Sequence, residues 1–85
     1  MYKGLSVGVV APCFNEEVKI CHVIQRVQES GFADEIIIVD DGSTDGSFSI
    51  SKKMGATVLQ LPQMVGVGAA LRRGFEYAAE KYDVI

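Results

Sequence analysis

Ile36-Ile37-Ile38-Val39-Asp40-Asp41-Gly42-Ser43-Thr44-Asp45-Gly46 is the stretch that decides the fold. Four aliphatic β-branched residues in a row leave no face for solvent. They read as a strand buried on both sides, as in a parallel sheet covered by helices. The strand (Glu35–Val39) runs straight into two aspartates and a cluster of turn-forming residues. Adjacent carboxylates repel and compete for the same backbone amides. Their place at a strand end therefore suggests binding: one accepts hydrogen bonds from a ligand's N–H or hydroxyl groups while the other braces the loop. Asp45 is expected to cap a short helix over Ser47–Met54, closed by Gly55.

Outward from this stretch the pattern alternates. Leu5–Ala11 is a second apolar run, stopped by Pro12. Ile20, Val23, Ile24 and Val27 recur at helical spacing and predict a helix over Glu16–Ser30, with Asn15 as N-cap and Gly31 as the left-handed closing residue. Thr57–Leu61 reads as a third strand and Pro62–Gly68 as a loop. Ala69–Lys81 reads as a third helix with Leu71, Phe75, Ala78 and Tyr82 on one face. Asp83-Val84-Ile85 reads as the start of a fourth strand. The order βαβαβαβ predicts a three-layer α/β/α architecture around a mainly parallel sheet. Ligands of such sheets bind beyond the carboxyl ends of the strands. Three polar clusters fall there: Asn15 to Glu17, Asp40 to Asp45, and Gly66 to Gly68.

Composition narrows the function. The 85 residues are enough for one domain, 1–85, and 48% of them are hydrophobic, which is globular and not disordered composition. A net charge of −3 with no basic stripe argues against nucleic acid as partner. A phosphorylated ligand would need local devices such as backbone amides, a helix N-terminus or a metal. Cys13 and Cys21 match no metal or redox spacing and are expected as free thiols of a cytoplasmic protein. No signal peptide or membrane-spanning run is visible. His22, the one histidine, has no partner for metal or triad chemistry, and no nucleophile–base pair can be assembled.

Other acidic or glycine loops fit poorly. An EF-hand counted from Asp41 would need glutamate at its twelfth position, where Lys52 stands. A phosphatase Asp-x-Asp is absent because the aspartates are adjacent, and a response-regulator acidic pair would follow the first strand. Gly66-Val67-Gly68-Ala69-Ala70-Leu71 lacks the third glycine of a dinucleotide fingerprint, and no Walker A lysine follows. Phe14 is placed either to stack on a nucleobase or to plug the sheet edge. Glu16 is placed either to accept ribose hydroxyls or to favour the helix dipole. Arg72 and Arg73 either reach a phosphate or face solvent.

Three segments in order resemble the N-terminal part of family-2 glycosyltransferases, the group that includes dolichyl-phosphate mannose synthases and related polyprenyl-phosphate sugar transferases. They are Val9 to Glu17, Ile36 to Ser47 and Gly66 to Phe75. The resemblance implies the N-terminal, nucleotide-sugar-binding half of a GT-A fold, truncated within 1–85. It implies that Pro12, Phe14 and Glu16 line the nucleoside pocket, that Val39 and Asp41 contact base and ribose, and that Asp40 lies beside them. It implies a UDP- or GDP-sugar donor held with Mg²⁺ or Mn²⁺ on ligands outside this chain, and an acceptor such as a polyprenyl phosphate or glycan, with the full protein at the membrane surface. No catalytic residue and no metal ligand is assigned within the 85 residues. Where the family reads Asn-x-Gly-Lys-Gly, this chain has Met64-Val65-Gly66-Val67-Gly68. A non-enzymatic nucleotide-binding or interaction module is the alternative. An open sheet edge is expected to favour self-association.

Overall fold

Side-chain alternation along β2 (Glu35–Asp40) organises the molecule. In the computed structural model, which describes residues 1–85, β2 lies between β1 (Gly8–Cys13) and β3 (Thr57–Gln60), all parallel. Ile36 and Ile38 point to one side of the sheet and Ile37 and Val39 to the other, and all four are buried. On the first side α1 (Glu17–Ser30) and α2 (Ser47–Lys53) complete a core of Cys13, Ile20, Ile24, Ile36, Ile38 and Ala56. On the second, Ala70 of α3 (Val67–Ala79) packs with Val39 and Leu61, flanked by Val10 and Leu59. Each fully buried aliphatic side chain contributes about 1.5–3 kcal/mol, so the central strand alone is a large fraction of the stability of a domain this small. The architecture is the expected three-layer α/β/α.

Register levels the strand ends. Cys13 lies opposite Asp40, and Asp40 opposite Gln60. The segment read as a fourth strand is seen as one parallel bridge, Val7 to Val84, on the outer side of β1. Gly8 N donates to Val84 O at 2.8 Å, and the Asp83 carboxylate accepts from Ser6 N at 2.9 Å and Ser6 Oγ at 3.0 Å.

Four local readings change. Pro12 does not stop β1, which runs on to Cys13. Cys13 O accepts from Asp41 N on the β2 side, so Pro12 directs its missing donor to the outer edge, where no ladder bond to β2 is lost. Asn15 is not the N-cap of α1. It sits at φ 50, and its Oδ1 accepts from Thr44 N at 2.8 Å and Asp45 N at 3.3 Å, which satisfies the neighbouring loop instead. Val23 of the α1 stripe is 40% exposed, because the contact surface of the helix is centred on Ile20 and Ile24.

The largest change is in α3. It begins at Val67, and its buried face is Ala70, Gly74 and Ala78. Ala78 was expected there, but Phe75 is 46% exposed and Leu71 half-buried. Small residues win because the helix lies very close to the sheet. A Cβ on Gly74 would stand 2.3 Å from Val10 Cγ1 and 2.9 Å from Val39 Cγ2. No helix is long and apolar enough to cross a membrane.

Candidate functional site

The three polar clusters meet at the carboxyl ends of the strands and are cross-braced. The turn after β1 is fixed to the acidic loop: Asn15 N donates to Ser43 Oγ at 2.9 Å, and Glu16 N to Ser47 Oγ at 3.1 Å. Asp45 completes this joint. Its Oδ1 accepts from Ser47 N at 2.9 Å and Ser47 Oγ at 2.5 Å, while Oδ2 accepts from Glu17 N at 3.4 Å. Asp45 is not the N-cap residue of α2, which is Gly46, but from one position before it the carboxylate still takes the first amide of α2 and that of α1. The Ser47 hydroxyl foremost, then the Ser47 and Glu17 amides, hold the Asp45 carboxyl below its usual range against opposing desolvation.

The adjacent aspartates take different positions. Asp40 is fully buried on the α1 side of the sheet. Its Oδ1 accepts from Ser43 N at 3.1 Å, closing the turn, and its Oδ2 has no protein partner. Asp41 points to the loop after β3, and its Oδ1 accepts from Val65 N at 2.7 Å and its Oδ2 from Gly66 N at 3.0 Å. Between these loops Gly42 (φ 78) is in close backbone contact with the loop after β3. A Cβ there would stand 2.8 Å from Met64 N.

Pro12, Cys13, Phe14, Glu16, Asp41 and Val67 line one narrow cleft of about 50 Å³. Of the six residues singled out in the sequence, Pro12, Phe14, Glu16 and Asp41 are brought together here. The side chains of Val39 and Asp40 are fully buried and stand outside the lining. Val39 lies against Gly74 of α3. Phe14 is 39% exposed and Val67 65% exposed, so two apolar groups are open to a ligand in a cleft that also carries two carboxylates. A volume of 50 Å³ accepts the edge of a planar ring, and the rest of any nucleotide would lie across the open strand ends.

Cys13 and Val67 were not singled out. Cys13 could have been found from alternation along β1. Val67 could not, because the helix starts two residues earlier than its sequence suggests. Burial pushes the Cys13 thiol up, assisted by the Asp40 and Glu16 carboxylates, although Ser47 and the Glu16 amide act against it. The thiol is therefore protonated near neutrality and is a poor nucleophile. Arg72 and Arg73 face solvent, and neither lines the cleft.

The chain's residues do not fit a metal centre. No three His, Cys, Asp or Glu side chains gather to hold an ion, both Asp41 oxygens are engaged by amides, and Asp40 is buried.

Comparison with known proteins points to one family. A family model described as glycosyl transferase family 2 matches residues 8–85. Protein RfbJ of Shigella flexneri is 33% identical over 75 residues, covering 88% of this chain and 57% of RfbJ. Glucosyl-3-phosphoglycerate synthase of Mycobacterium tuberculosis is 34% identical over 91 residues, covering 96% of this chain and 28% of the synthase. The crystal structure of that synthase with Mn²⁺, uridine diphosphate and glucosyl-3-phosphoglycerate superposes with a TM-score of 0.76 at 34% identity, covering 96% of this chain and 33% of the synthase chain. Mannosyltransferase PcManGT of Pyrobaculum calidifontis, solved with GDP-Man and Mn²⁺, gives a TM-score of 0.79 at 24% identity over 87% of this chain, which shows a shared fold. The chain spans just over half the length of RfbJ and about a third of the synthase.

Proposed function

The chain belongs to glycosyl transferase family 2, and from that premise we propose that it binds the nucleoside part of a UDP- or GDP-sugar at the strand-end cleft. The observation that carries this is the convergence of Pro12, Phe14, Glu16 and Asp41 on one cleft from two separate loops. Phe14 and Val67 would flank the ring. Glu16 and Asp41 would accept hydrogen bonds from ribose hydroxyls or base N–H groups. Asp41 has capacity left, because a carboxylate offers about four acceptor sites and two are used. Val39 and Asp40 would support the floor from below. The likeness to glucosyl-3-phosphoglycerate synthase, solved with Mn²⁺ and uridine diphosphate, supports reading the site as the donor-binding part of a hexose-transferring enzyme.

A divalent cation would neutralise the leaving diphosphate in such a transfer, but no step is derived through it, since the residues here do not gather to hold one. The acceptor belongs to the same proposal at a coarser grain: a phosphorylated hydroxy compound, as for the synthase, or a polyprenyl phosphate presented at a membrane surface. Self-association through the outer edge of β1 is tested by sedimentation, with a monodisperse monomer counting against it.

The decisive experiment is titration of the chain with UDP and GDP, with and without Mn²⁺, followed by backbone NMR. Perturbation of Phe14, Glu16, Asp41 and Val67 amides by one of them is the expected result. No perturbation of those residues by either nucleotide overturns the assignment. Tight, metal-independent binding would favour a non-enzymatic nucleotide-binding module.

A further inference from the structure

The loop between β3 and α3 has almost nothing of its own to hold it. Pro62, Gln63, Met64 and Val65 are all exposed, and no side chain caps α3. What fixes the loop comes from the acidic turn. The Asp41 carboxylate, 3% exposed, takes the Val65 and Gly66 amides on its two oxygens. Gly42 brings the turn into backbone contact with Met64. Asp41 itself is held independently of the loop, because its own N–H donates to Cys13 O at 2.8 Å and continues the β1–β2 ladder. The next residue beyond this joint is Val67, the cleft wall that comes from α3.

We propose that Asp41 is a positioning residue that pins the loop after β3 and thereby sets Val67 in the same cleft as Phe14. Asp41 thus acts on the ligand mainly through Val67, in addition to any direct contact. The proposal rests on the cleft being the nucleotide site, and it goes beyond that reading by making cleft width a property of the pin. Hydrogen bonds to charged groups are among the stronger ones and exposed loops open readily, so losing the pin frees the loop without unfolding the sheet. The Asp41–Gly42 joint is a rigid two-point contact, and either half can be broken separately.

Asp41→Asn and Gly42→Ala break the two halves. Asp41→Asn keeps the size of the side chain but sets an amide N–H₂ against a backbone N–H. Gly42→Ala leaves the carboxylate untouched and forces its Cβ against Met64 N. In both variants, amide hydrogen exchange at Val65 and Gly66 is expected to speed up by about tenfold or more, with Ile37 and Ile38 unchanged as a control for folding. The downfield amide proton signals of Val65 and Gly66 expected in the wild-type chain should move upfield. UDP affinity should fall in both variants. If Val65 and Gly66 stay protected in Asp41→Asn, the pin does not exist and the proposal is overturned. Loss of UDP affinity in Asp41→Asn but not in Gly42→Ala, with the loop loosened in both, would show direct contact only and also overturns it. Should the wild-type chain bind neither UDP nor GDP, the nucleotide reading fails, and the exchange data alone still decide the pin.

Discussion

Glu35 at the amino end of β2 and the aspartates at its carboxyl end take different donors. At the carboxyl ends of the strands, Asp40, Asp41 and Asp45 accept mostly from backbone amides of loops and of the first residues of α1 and α2. At the amino ends, Glu35 accepts from side-chain hydroxyls carried on regular elements or just beyond them. Tyr77 Oη lies at 3.0 Å, and Thr57 and Tyr82 make short bonds. Lys81 Nζ stands 3.9 Å away and donates to Tyr77 Oη at 2.7 Å. Amide-bound carboxylates shape loops and leave a cleft between them. The hydroxyl-bound carboxylate ties β2 to β3 and to the end of α3, and closes that end. The carboxylates along and just after β2 therefore leave a cleft where their donors are backbone amides and make a fastening at Glu35, where the donors are side chains of the framework, while Asp34 and Asp83 beside that fastening also take backbone amides.

Placing bulk between the ends should abolish the difference. Gly74→Val drives a branched side chain into Val10 and Val39. Overpacking of this kind costs about 1–3 kcal/mol or more, so urea unfolding should show the largest loss of all, with both ends released together.

Glu35→Ala attacks the fastening alone. It leaves three hydroxyls without their acceptor, and a loss of about 2 kcal/mol is expected from unmade bonds of this type. Phe14, Glu16 and Asp41 amide signals should stay in place, which is the sharp form of the comparison. Movement of the cleft signals would show that the two ends are coupled through α3.

The fastening also carries a pH signature. Burial pushes the Glu35 carboxyl up, but Thr57, Tyr82, Tyr77 and Lys81 outweigh it and hold it below its usual value of 4.5. The folded pKa is depressed, so the stabilisation is present above about 4.5 and is lost as pH falls through the folded value. The hydrogen bond to Glu35, with burial, pushes Tyr82 up to about 12. That pKa is raised, so its stabilisation holds below 10 and is lost as pH climbs from 10 towards 12. Stability measured across pH should fall on both flanks. Glu35→Gln should flatten the part of each flank that Glu35 supplies. Unchanged flanks in that variant would remove Glu35 as their cause.

The smallest effect on stability is expected at the binding edge. Phe14→Ala removes a partly exposed ring and should leave unfolding nearly unchanged, while nucleotide affinity falls several-fold, in line with about 0.5–1.5 kcal/mol for an aromatic contact. Equal binding by the variant would remove Phe14 from the site.

Much of this was legible in the sequence, for identifiable reasons. The Ile36–Val39 run could only be a doubly covered strand, and the polar clusters after each strand had one edge to share. Phe14, Glu16 and Asp41 followed from that edge and from the resemblance. The face of α3 was misread because large apolar residues dominate a helical pattern, whereas a helix in close approach to a sheet selects Ala70, Gly74 and Ala78 for the absence of bulk. That Asp40 and Asp41 divide their labour was legible, but the partners each takes were not. Those depend on which way each side chain leaves the strand end, and one step along the chain sends them to different partners. Asn15 read as a cap because its type suits one, but its left-handed backbone turns the side chain to Thr44 and Asp45.

Pro12 gives the outer edge of β1 a direction. Gly8 offers its N–H outward and Val84 takes it, but two pairs further along the same edge Pro12 has no donor to give. Any chain laid beside β1 can pair fully at the Gly8 end and loses one ladder bond at the Pro12 end, where only the carbonyl is left to accept. The sheet edge thus lacks one donor, at an imino acid, at the level where Phe14 and Glu16 begin.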